Sequence, residues 1–164
     1  MGADIHFFLE RKTNSLNYEG PKDTQTERDI KISSLISDTI RERWVSVDVW
    51  TNDDDDDWYC DSIYSDRNYY LFAVLADVRN SNNIDPISEP KGIPDDASAG
   101  FLYKSEQWNN DAHSHSYFTL AELLDVDWSV YNENYLQTFF EVIEYMKHID
   151  PDPEKVRCCF FFDN

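Results

Sequence analysis

The run VRCCFFF at residues 156–162 is the strongest constraint on the fold. Six apolar residues surround one arginine, and the run has the length of a strand, shorter than an ordinary helix. PDPEK breaks the chain just before it. The phenylalanines lead straight into Asp163, which argues for a strand anchored in a sheet and against a ragged, solvated tail. Cys158 and Cys159 alternate to opposite faces, so they read as small apolar fillers and not as a chelate. Residues 3–10, ADIHFFLE, carry a matching pattern. Ile5, Phe7 and Leu9 alternate with Asp4, His6, Phe8 and Glu10, which is the period of a strand. The two strands can pair with each other, and Asp163 then lies near Asp4 or His6 at the edge of the sheet.

Between these strands the pattern is mixed. Residues 14–30 are polar and read as a loop or insertion. Ile32, Leu35, Ile36 and Ile40 outline a short helix within 30–40. WVSVDVW, at 44–50, alternates as one strand with Trp44, Ser46, Asp48 and Trp50 on one side. The loop at 51–57 contains five consecutive aspartates, Asp53 to Asp57, which repel one another and mark an exposed turn. It lacks the spaced ligands of a calcium-binding loop. A helix is expected over 66–78 with Asp66 as its cap. Gly92 can relieve a special backbone angle. Another helix is expected over 98–108, capped by Asp95 or Asp96. Thr119 and Glu122 form a capping box that opens a third helix, and the longest helix spans 132–148. The expectation is a single α+β domain over 1–164, with a small mixed or antiparallel sheet containing both terminal strands and helices packed on one face.

Acidic residues number 33 against 14 lysines and arginines, a formal net charge of -19. Such a field repels nucleic-acid backbones and anionic membrane surfaces, so neither is expected as a direct partner. Two readings remain: the acidity serves solubility, or it attracts a basic partner. The cysteine count is odd and two are adjacent, which points to a reducing, cytoplasmic setting over a disulfide framework. No window of 18 apolar residues is present, and MGADIHFF lacks the basic start and apolar core of a secretory signal.

Two polar pairs share one spacing. Asp4 and His6 lie on one strand face. If the HSHS stretch at 113–116 is extended, His113 and His115 share a face as well. Asp4, His6, His113 and His115 form an oxygen and nitrogen set that a divalent metal such as zinc or manganese accepts. A metal-bound water there would attack a phosphoryl or acyl centre, giving a metal-dependent hydrolase. Arg67 and Arg79 flank the helix at 69–78 and could grip a nucleotide phosphate; with Asn68, Asn80 and Asp163 they make up the candidate ligand-binding residues. The plainer reading of Arg67 is a salt bridge to one of the many acids, and of Arg79 a favourable place near the helix C-terminus.

Five phrases, MGADIHFFLE, DRNYYLFAVLADVRN, KGIPDDAS, DAHSHSYFTLAELL and VRCCFFFDN, together resemble a family of small proteins of unassigned function from bacteriophages, large DNA viruses and some bacteria. That family opens on a cysteine followed by Asp-Ile-His and closes on Phe-Asp-Asn. Here Ala3 stands where the cysteine is expected. The resemblance implies a viral or phage accessory protein acting in the host cell cytoplasm, and the net charge adds the expectation that it binds a basic host protein. It brings no enzymatic activity with it.

Overall fold

In the computed structural model, residues 2–15, 18–35 and 41–164 are described. The core is a four-stranded sheet in the order β2-β1-β6-β5, with β1 at Ile5–Thr13, β2 at Arg43–Ser46, β5 at His113–Thr119 and β6 at Val156–Phe162. Every pairing in it is antiparallel. The two strands from the ends of the sequence lie side by side at its centre, Ile5 opposite Phe162 and Arg11 opposite Val156. β3 (Val49–Asn52) and β4 (Trp58–Asp61) form a separate two-stranded ribbon with the aspartate run at its turn. The helices are α1 (Thr24–Ser33), α2 (Tyr69–Ala76), α3 (Ala99–Trp108), α4 (Leu120–Asp125) and α5 (Gln137–Met146). The fold is α+β, as the pattern predicts.

Period-two alternation sends two sets of side chains to opposite faces. Ile5, Phe7 and Leu9 of β1 and Val156, Cys158, Phe160 and Phe162 of β6 meet the apolar sides of α2, α4 and α5 in the larger core. The second face carries Phe8, Cys159 and Phe161, covered by Phe101 of α3 and Trp50 of the ribbon. Helices therefore cover both faces, three on one and α3 on the other. Gly100 lets α3 approach this closely, since a Cβ there would stand 2.5 Å from the Trp50 ring.

The second face also buries an ion pair. Glu10 and Arg157 are directly opposite in the β1–β6 ladder. They are 0% and 4% exposed and joined through Arg157 Nε and Glu10 Oε1. Ser98 N–H donates to the second Glu10 oxygen at 2.8 Å. Arg157 also donates to Asp96 at 2.9 Å and lies 4.1 Å from the Trp44 ring centroid. Asp96 is thus committed to Arg157, and Ser98 caps α3 in place of Asp95 or Asp96.

The stretch 44–50 is two strands, not one. The β1–β2 ladder stops at Glu10 opposite Ser46. The Asp48 carboxylate then accepts the Leu9 N–H at 2.9 Å, standing in for the next rung. The chain leaves the main sheet there to enter the ribbon. Asn68 caps α2 by accepting the Leu71 N–H, in place of the expected Asp66. The region 14–30 is not loop throughout, because α1 begins at Thr24 behind an Asp23 cap. The helix expected to reach Ile40 runs into 36–40, outside the described residues. The helix expected over 132–148 begins only at Gln137, behind a single 3₁₀ turn at Glu133–Tyr135, and with ten residues it is no longer than α1 or α3. The capping box at Thr119 and Glu122 forms as expected. Gly92 adopts φ +86° where its N–H reaches the His115 carbonyl and covers the outer side of β5.

Candidate functional site

The end of the sheet where β1 begins and β6 ends gathers several of the expected residues. His6 stands opposite Phe161, and Asp163 follows two residues on. His6 Nε2 meets Asp163 Oδ2 at 2.7 Å, while Asp163 Oδ1 accepts the Asp4 N–H at 3.2 Å. Asp163 is buried and His6 half-buried. The imidazole stacks on Phe161 with centroids 4.7 Å apart and touches the Trp108 ring at 4.6 Å. A carboxylate only accepts hydrogen bonds, so Nε2 is the donor and the neutral ring keeps its lone pair on Nδ1. That nitrogen has no hydrogen-bond partner among the described residues.

His6 lines a cavity of about 480 Å³ shared with Asp4, Cys60, Asp61, Lys104 and Trp108. Lys104 Nζ donates to the Trp58 carbonyl at 2.9 Å and to Gln107 at 2.8 Å. Burial lowers its proton affinity. Burial first, and the neighbouring Asp48 second, push the Cys60 thiol well up, so it is a poor thiolate nucleophile. The Ser62 hydroxyl, also on the cavity wall, is held by the Phe7 and Tyr64 carbonyls. The cavity wall therefore offers a histidine with one ring nitrogen fixed, while neither Cys60 nor the half-buried Ser62 is a ready nucleophile.

The four side chains expected to hold a metal do not converge. β5 bulges between His113 and Ser116: three steps along β5 answer two along β6, with Ser114 at φ 53°. The extra residue turns His113 and His115 to opposite faces. His113 lies opposite Phe162 and meets Asn164 Oδ1 through Nε2 at 3.1 Å. His115 stacks on Phe161 at 5.2 Å and meets Ser105 Oγ at 2.8 Å. Burial, and then the nearby His113, lower its proton affinity. β1 and β5 flank β6, so His6 and His115 are separated by two strand spacings, about 10 Å. A shared ion needs both nitrogens within about 2.1 Å of it. Asp4 is turned to Arg67, whose Nε and Nη2 each donate to it at 2.8 Å. Among the described residues no group of three His, Cys, Asp or Glu side chains is placed to hold a metal ion.

The other candidates are spread out. Arg67 makes the salt bridge that its surroundings suggest, and the hydrogen bonds from its guanidinium hold the Asp4 carboxyl below the usual range. Asn68 is a helix cap that also donates to the Tyr135 carbonyl. Asn80 closes its own loop through Asp77 and Ile84. Arg79 lies over the Tyr69 ring at 5.9 Å, on a residue with φ 53°. These residues do not form one phosphate site. Trp108, Phe161 and Ser105, which hold the two second-face histidines, were not among the expected site residues. Their signal is the helical spacing of Phe101, Ser105 and Trp108, which puts all three on the side of α3 that faces the sheet.

No family model, characterised protein or solved structure matches this chain.

Proposed function

We propose that the cavity at the His6 end of the sheet binds a small molecule and that His6 transfers a proton there, as general base or acid, in a hydrolytic or group-transfer reaction. The single observation that supports this is the His6–Asp163 pair at the cavity wall. A buried carboxylate fixes one ring nitrogen, two aromatic rings fix the ring plane, and the remaining lone pair has no hydrogen-bond partner among the described residues. Such a base acts on water or on a bound hydroxyl, and general-base catalysis contributes about 10²–10⁴-fold. The test is a panel of activated carboxyl and phosphate esters assayed with the wild type and His6→Gln. An ester whose turnover falls by about 100-fold or more in the variant supports the reading. Wild-type rates equal to those of His6→Gln across the panel contradict it.

A second reading has its own observation. Arg11, Arg43, Arg67, Lys91, Lys147, Lys155 and Arg157 each already face an acid of this chain. The aspartate run at the ribbon turn has no ion-pair partner among the described residues. The outward field is thus acidic, and it suits a basic partner; in the viral or phage setting that the resemblance implies, the partner is a basic host protein. Asp53 makes most of the side-chain hydrogen bonds of the turn: its oxygens accept the Asp55 and Asp57 N–H groups and the Tyr59 hydroxyl, so it shapes the turn. Asp56 accepts one more from Asn52, through an oxygen that Asp56→Asn retains. Changing Asp54, Asp55, Asp56 and Asp57 to Asn therefore removes charge and spares the turn. Pulldown from host lysate that is lost both at high salt and in this variant supports the reading; retention in either case counts against it.

A further inference from the structure

We infer that the groove between α4 and α5 docks a basic amphipathic helix of a partner protein, an inference that rests on the basic-partner reading above. The groove has a volume of about 320 Å³ and a floor of Leu123, Leu124, Trp128, Phe140 and Ile143. It lies on the outer side of the larger core, remote from His6. Its floor is preformed. The Trp128 indole N–H donates to the Leu123 carbonyl at 3.0 Å, and its ring meets Phe140 edge-on at 5.3 Å. With the indole donor satisfied, what Trp128 offers to a ligand is apolar surface. Leu124 is 47% exposed, an outward leucine beside a tryptophan in an otherwise acidic stretch.

Charge chooses the occupant. The segment 120–147, which builds both walls, contains six acids and one lysine. Lys147 pairs with Glu144 and Lys91 pairs with Glu122. Asp125, Asp127, Glu133 and Glu141 have no ion-pair partner among the described residues. An apolar trough lined by Glu133, which has no ion-pair partner among the described residues, and set in a stretch with an excess of acids matches a segment with leucine-like anchors on one side and lysine or arginine on the other. The walls also choose the conformation. They are helices, whose central backbone groups are already hydrogen-bonded, so no sheet edge is open there for an added strand. An occupant that satisfies its own backbone, with anchors at i, i+3 or i+4, and i+7, fits that condition.

The probe is a fluorescein-labelled synthetic helix with leucines on one face and lysines on the other. The controls are a peptide of the same composition with its leucines scattered, and one with glutamate in place of lysine. Wild-type protein at low salt is expected to bind the amphipathic basic peptide at least tenfold more tightly than either control. Leu124→Ser is expected to abolish that preference without moving Tm, because the side chain is largely outside the core. Equal binding of the scattered basic peptide overturns the groove while leaving the basic-partner reading standing. Equal binding of the glutamate peptide overturns the basic occupant. A preference that survives Leu124→Ser places the contact elsewhere and overturns the proposal. If no basic peptide binds at low salt, the groove and the basic-partner reading fall together.

Discussion

Two acid–base pairs bridge β1 and β6 on the same face of the sheet, and they differ in what surrounds them. Glu10 and Arg157 are directly opposite and sealed at 0% and 4% exposure. Every oxygen of Glu10 has a donor, and the guanidinium is held by Asp96 and Trp44 as well. His6 and Asp163 meet on the diagonal at the other end, beside a cavity, and one ring nitrogen is left over. Chemistry of similar kind is thus used in two ways. A pair whose every group is satisfied inside the protein locks strand register; a pair on a cavity wall, with one ring nitrogen unpartnered among the described residues, can act on something else.

The largest effect that separates the two is Arg157→Met. It leaves Glu10 buried without its counter-charge, which costs about 3–5 kcal/mol by the precedent of broken buried ion pairs. Adding Glu10→Gln to that variant should recover part of the loss. Chemical denaturation of the single and double variants measures both. If Arg157→Met costs no more than Asp163→Asn, the two ends of the sheet are energetically alike and the contrast fails.

Asp163→Asn is the smaller change, about 1–2 kcal/mol. The amide oxygen still accepts the Asp4 N–H, and the amide NH2 that then faces His6 Nε2 is a donor, so the ring must accept there and carry its proton on Nδ1. A loss comparable to that of Arg157→Met would make the His6 end a structural lock as well.

Two titrating groups sharpen the comparison with opposite signs. Asp48 is pushed up to about 7, mainly by burial. The folded protein holds this proton where the unfolded chain, with an ordinary carboxyl near pH 4, has lost it. Stability from this group is full below about pH 4 and is lost as pH rises toward 7. Asp48→Asn keeps an acceptor for the Leu9 N–H, so it should raise Tm at pH 8 and change it little at pH 4. His115 runs the other way. Burial disfavours its charged form, so the unfolded chain takes up a proton more readily and stability falls as pH drops below about 6.5. His115→Gln should flatten that acid limb, by less than the alkaline gain of Asp48→Asn. Tm against pH for the three proteins tests both signs. A wild-type profile unchanged by either substitution contradicts the burial argument.

The strands at 3–10 and 156–162 and the Thr119–Glu122 capping box were legible because their signals are local: alternation over a few residues, or two side chains one turn apart. The pairing of the two strands, and Asp163 beside His6, followed from that alternation. The bulge at Ser114 was not legible, because it is set by the register of β5 on β6 and nothing in HSHS announces it. That one extra residue is why the metal set dissolves. The break at Asp48 was hidden for a similar reason. WVSVDVW keeps alternating through it, and only the Leu9 N–H on another strand shows where the carboxylate goes. Glu10 and Arg157 each stood as a lone charge in an apolar strand, a visible oddity, but their opposition spans 147 residues of chain. Trp108 was hidden in a helix whose sheet-facing side could be identified only once α3 was known to cover the second face.

The most direct test of the His6 assignment is the ring tautomer. Long-range ¹⁵N–¹H correlation spectra of the histidine side chains at pH 8, assigned with His6→Gln, report which nitrogen carries the proton. A protonated Nε2 and a bare Nδ1 are expected for His6, with the preference lost or reversed in Asp163→Asn. A wild-type His6 protonated on Nδ1, or a tautomer indifferent to Asp163→Asn, would contradict the assignment, since the lone pair would then not be held toward a ligand by the carboxylate.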